Sequence, residues 1–307
     1  MSFKLKILGA NSATPAYGRH HTAQLLSTGN KHFLIDCGEG TQERLNQFNV
    51  SVLRINHIFI SHLHGDHYLG LMGMLFTMHL LKRTADLHIY GQRGLEEIIL
   101  TQLRYSESVL NYDIHFRELD PERSEKIMED RTLEVTTIPL SHRIPCSGFI
   151  FREKTKQIRL NKEKLPTDIS LTAIGQLKRG EDVTDANGKV IYKNKDLTLP
   201  HRKACSYAFC SDTRFDERII PHVKNVDLLY HEATFLEEKR QWAELTFHST
   251  TQDAAKIARQ AGAGQLVIGH YSARYKDLTP FLEEAQQVFP NTILAKEGGI
   301  IEISDSP

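Results

Sequence analysis

One short segment of the chain concentrates side chains that bind metal ions. Residues 61–71 read SHLHGDHYLGL, which includes His62, His64, Asp66 and His67. The first two histidines are two residues apart, so an extended loop can direct both imidazoles to one ion. The other two follow a glycine turn and can reach a second ion beside it. Zn²⁺ accepts imidazole nitrogen and carboxylate oxygen at about 2.0–2.2 Å, so the segment indicates a metal site. The alternative is a solvated histidine-rich loop.

Further ionisable residues follow predicted strands later in the chain. They are His142, Asp212, Glu232 and His270. Binding sites of α/β sheets form at strand ends, so these side chains are expected to meet the histidine cluster. Taken singly, His142, Asp212 and His270 would each be an ordinary polar residue; as a set they supply the missing ligands for two ions, with Asp212 as the candidate bridging carboxylate. Two ions about 3.5–4 Å apart suit in-line hydrolysis of a phosphate ester.

The elements that must position these residues alternate between strands and helices, which predicts an α/β or sheet-rich layered fold. Strands are predicted at 4–8, 32–36, 55–60, 87–91, 133–138, 207–211, 227–231, 265–269 and 299–303, and helices at 69–82, 94–105 and 249–261. For the last helix, Ser249 and Gln252 have the spacing of a capping box. We expect a single domain over residues 1–307.

Composition excludes several classes of protein. The 307 residues carry a formal net charge of zero, so binding to nucleic acid would need a local basic patch. The four cysteines have neither zinc-finger nor redox spacing, which is typical of a reduced cytoplasmic protein. The longest apolar stretch, residues 68–81, is shorter than the roughly 18 residues of a membrane span. We therefore expect a soluble, cytoplasmic protein with no membrane partner.

Several separate stretches resemble one family. They are LGANSATP (8–15), DCGEGTQ (36–42), SHLHGDHYLGL (61–71), PLSHRIPCSGF (139–149), CSDTR (210–214), HEATF (231–235), HST (248–250) and GHYSARY (269–275). HxHxDH is typical of the metallo-β-lactamase superfamily. The HEAT, HST and H-x-S-x-R-Y stretches are narrower, and with them the chain resembles ribonuclease Z, the family of tRNA 3′-processing endonucleases.

The resemblance implies a fold and a ligand set. The fold would be a four-layer αβ/βα metallo-β-lactamase sandwich with an inserted basic arm at residues 150–198. Two Zn²⁺ ions per subunit are implied. One would take His62, His64 and His142, the other Asp66, His67 and His270, with Asp212 bridging both. The implied partners are precursor tRNA and a second copy of the chain in a homodimer.

The resemblance also implies catalytic roles. Water activated by the ions would attack the phosphorus in line, leaving a 3′-hydroxyl on the tRNA and a 5′-phosphate on the trailer. Asp66 is the candidate for orienting and deprotonating that water. His248 is the candidate for protonating the leaving 3′-oxygen, with Glu232 holding its imidazole. The alternatives are a strand-end carboxylate and a helix-start histidine without chemistry.

A basic stretch would supply the RNA contacts. Residues 151–165 read FREKTKQIRLNKEKL, and a second basic step follows at 178–179. The candidate contacts are Lys154, Lys156, Arg159, Lys162, Lys178 and Arg179; the alternative is a solvated lysine-rich face. Arg274 is a candidate for substrate phosphate, with a surface ion pair as its alternative. The segment IGQLKRGEDV (174–183) matches the family's arm, whereas a Gly-Pro-rich stretch common in such arms is missing.

Two rival functions share parts of this pattern. Another metallo-β-lactamase hydrolase, acting on small phosphodiesters or other esters, would have the same ligands but no use for the HEAT, HST and basic stretches. A non-catalytic scaffold or RNA-binding protein would usually have lost a ligand, and no ligand is missing here.

Overall fold

The computed structural model describes residues 3–154, 158–199 and 203–303. The chain divides into two compact units. The described residues of the first unit are 3–129, 134–152 and 205–303, and those of the second are 130–133, 153–154, 158–199 and 203–204.

Two seven-stranded sheets form the first unit. The first sheet has the order β16-β1-β2-β3-β4-β5-β6, with β3 to β6 parallel. Its strands are β1 (Phe3–Gly9), β2 (Ala23–Thr28), β3 (Lys31–Ile35), β4 (Ile55–Phe59), β5 (Leu87–Gly91), β6 (Ile114–Glu118) and β16 (Ile300–Ile303). The N-terminal and C-terminal strands pair antiparallel, from Phe3 opposite Ile303 to Lys6 opposite Ile300.

The second sheet has the order β15-β14-β13-β12-β9-β8-β7, with β12 to β15 parallel. Its strands are β7 (Lys126–Glu129), β8 (Leu133–Pro139), β9 (Ser147–Glu153), β12 (Ser206–Cys210), β13 (Leu228–Glu232), β14 (Gln265–Gly269) and β15 (Thr292–Leu294). The predicted strands agree with these bounds to within one or two residues.

Helices cover the outer face of each sheet. They are α1 (Thr41–Gln47), α2 (Gly65–Tyr68), α3 (Leu71–Leu80) and α4 (Leu95–Tyr105) on the first sheet, and α7 (Arg240–Thr246), α8 (Thr251–Ala261) and α9 (Thr279–Val288) after β13 and β14. Leu45, Met74 and Ile99 of the first set pack with Ile58 and Ile89 in one buried cluster. Helix α8 packs on β13 and β14, and α9 packs on β15.

Aromatic side chains fill the space between the sheets. The rings of Phe33 and Phe59 lie 5.8 and 5.3 Å from the ring of Phe151, and Phe59 lies 5.4 Å from Phe149. Helix, sheet, sheet and helix layers follow one another, as the family resemblance implied. The four-layer αβ/βα sandwich is confirmed.

The predicted capping box of α8 is wrong in register. The structure places the box one residue later, where the Thr250 hydroxyl accepts from the Asp253 backbone N–H and the Asp253 carboxylate accepts from the Thr250 N–H. The Ser249 hydroxyl instead donates to the carbonyl of Thr213, 2.7 Å away. The local spacing alone favoured Ser249, but a contact with a distant loop occupies that side chain.

The second unit has its own small core. It contains α5 (Leu171–Arg179), α6 (Asn194–Leu197) and a hairpin of β10 (Val183–Thr184) with β11 (Val190–Tyr192). Ser170 caps α5, and Ala173 and Leu177 pack with Val183 and Leu197. The hairpin turns at Gly188, whose φ of 80° suits glycine.

Within the described ranges of the whole chain, no helix is both long and apolar enough to cross a membrane.

Candidate active site

The first predicted ligand group comes together at one edge of the two sheets. His62 and His64 follow β4, His142 follows β8 and Asp212 follows β12. Nδ1 of His64 lies 3.0 Å from Nε2 of His62 and 3.1 Å from Nε2 of His142. The Oδ2 atom of Asp212 lies 3.6 and 3.9 Å from the same two Nε2 atoms. Four ligand atoms therefore face one small space.

The second group shares Asp212 with the first. Nε2 of His67 lies 3.5 Å from Oδ2 of Asp66 and 3.4 Å from Oδ1 of Asp212. Nε2 of His270 lies 3.5 and 3.2 Å from the same two oxygens. The two oxygens of Asp212 thus face different ligand groups, which is the arrangement of a bridging carboxylate.

Two observations indicate that these atoms are suited to binding metal ions. Nε2 of His67, Nε2 of His270 and Oδ1 of Asp212 are buried and have no hydrogen-bond partner. Leaving buried polar atoms unpaired costs about 1–3 kcal/mol each, unless another group satisfies them. The distances given above, 3.0–3.9 Å, also bracket the roughly 3.3–3.4 Å edge of a tetrahedron with ligands at 2.0–2.1 Å. Both groups could hold an ion.

Outer contacts orient the ligand rings. Nδ1 of His67 lies 2.7 Å from a carboxylate oxygen of Asp36, Nδ1 of His270 lies 2.9 Å from the hydroxyl of Thr234, and Nδ1 of His142 lies 2.9 Å from the carbonyl of Phe247. A carboxylate or carbonyl at Nδ1 accepts its proton and leaves the Nε2 lone pair directed at the metal space.

Burial determines the protonation of the first group. It lowers the pKa of His62, His64 and His142 below the usual histidine value, although Asp212 opposes this at each ring. The three rings are therefore neutral at pH 7, which is the form that binds a metal ion.

Carboxylates determine the protonation of the second group. Burial lowers the pKa of His67, but Asp212, Asp66 and Asp36 outweigh it and raise the pKa well above the usual value. Burial likewise raises the pKa of Asp66, but His67 and His270 outweigh it and hold the pKa far below that of an ordinary carboxyl. A metal ion would take the place of the proton on His67.

A histidine–glutamate pair lies next to both groups. Nδ1 of His248 lies 2.8 Å from Oε1 of Glu232 and 3.9 Å from Oδ2 of Asp212. Glu232 is fully buried and accepts hydrogen bonds from Thr213 N and from both the N–H and the hydroxyl of Thr234. Burial lowers the pKa of His248, but Glu232 outweighs burial and raises it to about 9. His248 therefore carries a proton at neutral pH.

The site opens into a cleft of about 640 Å³. Asp66, Asp212, His248 and His270 lie in its floor and walls, and Trp242, Arg143 and Arg274 also line it. A cleft bounded by cationic side chains near two ligand groups can accept an anionic ester.

The structure therefore brings together every predicted metal ligand and both partners of the His248–Glu232 pair. Arg274 is exposed and lines the same cleft. The arm candidates belong to the second unit, where Arg159, Lys162 and Lys178 are exposed and Lys154 is half-buried. Arg179 forms an ion pair with Glu181. Lys156 lies outside the described residues.

Sequence reasoning missed the residues that orient the ligands. Asp36 follows β3 as the ligands follow their strands, and it lies in the DCGEGTQ stretch, so its position at a strand end was an available signal. Thr234 lies in the HEAT stretch, but its contact with His270 joins residues 36 positions apart. His21 also lines the cleft.

Known proteins resemble the chain over nearly its whole length. Ribonuclease Z of Cytophaga hutchinsonii is 50% identical over 305 residues, 99% of this chain and 97% of that protein. Ribonuclease Z of Bacteroides fragilis is 46% identical over 302 residues, 98% of this chain and 99% of that protein. The chain belongs to the ribonuclease Z family. The resemblance found in the sequence is confirmed.

Solved structures agree with membership of the ribonuclease Z family. The short form of human tRNase Z superposes with a TM-score of 0.70 at 26% identity, covering 98% of this chain and 99% of that one. The metallo-β-lactamase fold protein YhfI of Bacillus subtilis superposes with a TM-score of 0.70 at 18% identity over 98% of this chain and 100% of that one, a likeness of fold. Residues 3–162, just over half of the chain, also match the family model described as anti-Pycsar protein Apyc1, so this part belongs to that family too.

Proposed function

We propose that the protein removes the 3′ trailer of precursor tRNA with two Zn²⁺ ions held by the seven ligands at the sheet edge. As a member of the ribonuclease Z family it is a metal-dependent endoribonuclease that processes the tRNA 3′ end. The observation that carries the site assignment is Asp212, whose two oxygens face two different ligand groups on the floor of one open cleft.

The donor atoms favour zinc. Five imidazole nitrogens and two carboxylates form a nitrogen-rich set, which suits Zn²⁺ better than Mg²⁺ or Ca²⁺, both of which take oxygen ligands. The proposed assignment is His62, His64 and His142 for one ion, and Asp66, His67 and His270 for the other, with Asp212 bridging. Two ions held there would activate water and neutralise charge on the phosphate.

Asp66 and His248 would handle the protons. Asp66 lies at the cleft with its carboxylate ionised, so it can accept a hydrogen bond from the attacking water and orient it. It is also the proposed acceptor of the proton of that water, whose acidity bound metal ions would increase. His248 carries a proton that it can donate to the leaving 3′-oxygen, and Glu232 holds its Nδ1 so that Nε2 is the donating atom. Cations bound nearby would draw the pKa of His248 down from about 9 toward neutrality, the range that suits a general acid.

Basic side chains would bind the substrate. Arg143 and Arg274 line the cleft, and the arm exposes Arg159, Lys162 and Lys178. These cations would bind the phosphate backbone of the tRNA in a salt-dependent way. Precursor tRNA as substrate, together with four cysteines that form no disulfide, supports a cytoplasmic location.

A homodimer is part of the proposal. Leu69, Leu80 and Leu81, beside and at the end of α3, are each more than half exposed, and a second copy would cover exposed apolar side chains of this kind. Sedimentation of the wild type and of Leu80→Lys checks this. A dimer that the substitution converts to monomer supports it, whereas a wild type that stays monomeric at micromolar concentration rejects it.

Cleavage of an end-labelled precursor tRNA tests the function. The zinc-loaded protein should make one cut near the acceptor end, leaving a 3′-hydroxyl, and both chelation and Asp66→Ala should abolish it. Cleavage of small phosphodiesters without any cut in the precursor, by protein that holds two metal ions, would reject the tRNA substrate in favour of the rival hydrolase.

A further inference from the structure

The single tryptophan of the chain lies in the cleft without a role in the chemistry above. Trp242 is on α7, between the HEAT and HST stretches, and 45% of its side chain is exposed. Its neighbour Ala243 is buried and anchors the helix. The indole therefore presents part of its large apolar surface to the cleft, where a bound ligand could reach it.

Arg274 accompanies the indole. Its guanidinium lies 5.8 Å from the centre of the Trp242 ring, within the distance of a cation–π contact. Arg274 is exposed and lines the same cleft, and within the described residues it forms no ion pair. Arg274 therefore does not form, within the described residues, the surface ion pair that was its predicted alternative. The pair offers a flat π surface next to a cation.

The backbone links Trp242 to the proposed general acid. The N–H of His248 donates to the carbonyl of Ala243 at 2.8 Å, and the hydroxyl of Thr246 donates to the carbonyl of Trp242 at 2.7 Å. Trp242 thus lies one short helix before His248 in a hydrogen-bonded segment. The 3′-oxygen that His248 would protonate belongs to the nucleotide upstream of the cut, which remains on the tRNA.

We propose that Trp242 stacks on the base of the nucleotide immediately upstream of the scissile phosphate, while Arg274 contacts a neighbouring phosphate. The inference rests on the proposed function and adds a residue that positions the substrate. Aromatic side chains stack on any base, since every base has a π face. The contact therefore holds the last tRNA nucleotide against the general acid whatever its identity.

Tyr105 provides a matched control. It is another exposed aromatic residue, and the guanidinium of Arg104 lies 5.1 Å from its ring centre, but it is not among the residues that line the cleft. Trp242→Ala should lower kcat/KM by about 5- to 150-fold, the equivalent of one lost base stack. Trp242→Phe should recover most of the loss, and Tyr105→Ala should change nothing.

Tryptophan emission gives a direct readout, because Trp242 is the only tryptophan. Full-length, zinc-loaded protein is titrated with a short RNA that spans the junction and carries a non-cleavable linkage there, and with two derivatives of it that lack one base. Intact RNA and RNA abasic downstream should quench the emission, whereas RNA abasic upstream should not. Quenching by the RNA that is abasic upstream, but not by the RNA that is abasic downstream, would overturn the proposal that Trp242 stacks on the upstream nucleotide.

Kinetics separate failure of this inference from failure of the function. With zinc-loaded protein, the abasic upstream nucleotide should slow the wild type but change Trp242→Ala by less than about twofold, because the two losses are the same contact. A wild type that cleaves precursor tRNA while Trp242→Ala cleaves equally well would overturn the stacking role alone. A wild type that cleaves no precursor would overturn the proposed function.

Discussion

Nδ1 of His67 lies 2.7 Å from Oδ2 of Asp36, and both side chains are buried. Asp36 also accepts from the backbone N–H and the hydroxyl of Ser61, the residue before the HxHxDH segment. One carboxylate thus orients a proposed ligand and fixes the start of the loop that carries three others.

Asp36→Asn should weaken metal binding about 10- to 100-fold, since the ring of His67 loses the charge that orients it. Asparagine suits the backbone, because φ at this position is 55°. Competition with a chromophoric chelator measures the affinity. Asp86→Asn is the control, because it also removes a carboxylate beside a histidine: Oδ2 of Asp86 lies 3.1 Å from Nε2 of His115 on the surface. Equal affinities for Asp36→Asn and the wild type would contradict the orienting role.

Removing Asp212 should differ from removing any other proposed ligand. Asp212→Ala should lose both metal ions, because each ion loses an oxygen of the same carboxylate. His142→Ala and His270→Ala should each lose one. Inductively coupled plasma mass spectrometry, which gives the number of metal ions per folded chain, checks the difference. One ion retained at full occupancy in Asp212→Ala would exclude the bridge.

Glu232→Gln should lower kcat about 10²- to 10⁴-fold while two metal ions remain bound, since Glu232 belongs to neither ligand group. The carboxylate raises the pKa of His248, so without it the histidine loses its proton at lower pH. The alkaline limb of the rate profile should accordingly move to lower pH. Adding His248→Ala should cost little more, because the two residues act as a unit; fully additive losses would mean separate roles.

Lys178→Gln in the arm should weaken tRNA binding and reduce the slope of log affinity against log salt by about 0.7–0.9, the value for one phosphate contact. Arg179→Gln should have a smaller effect, because Glu181 already pairs with that side chain at 2.8 Å. Lys4→Gln is the control, since Lys4 pairs with Glu302 on β16. Anisotropy of labelled precursor tRNA between about 50 and 200 mM salt measures the slopes. An unchanged slope for Lys178→Gln would remove this residue from the RNA contacts.

Residue types and short sequence patterns were enough to predict many of the strands and the proposed ligands. Short β-branched and apolar runs predicted the strands, because parallel strands buried on both faces have nearly continuous apolar sequences. The proposed ligands could be predicted because histidine and aspartate directly after buried strands lose water, and a metal ion offsets that loss. The seven side chains then come together because parallel strands end at a common edge.

Only the tertiary structure decided how those side chains are held. Asp36 reaches His67 across 31 residues, Thr234 reaches His270 across 36, and Arg274 lies over the ring of Trp242. Ser249 had the spacing of a cap but bonds to Thr213, which left the cap to Thr250. Such pairings depend on strand order and on the packing of distant loops. A local sequence pattern cannot predict them, because the two partners are far apart in the sequence and meet only in the folded chain.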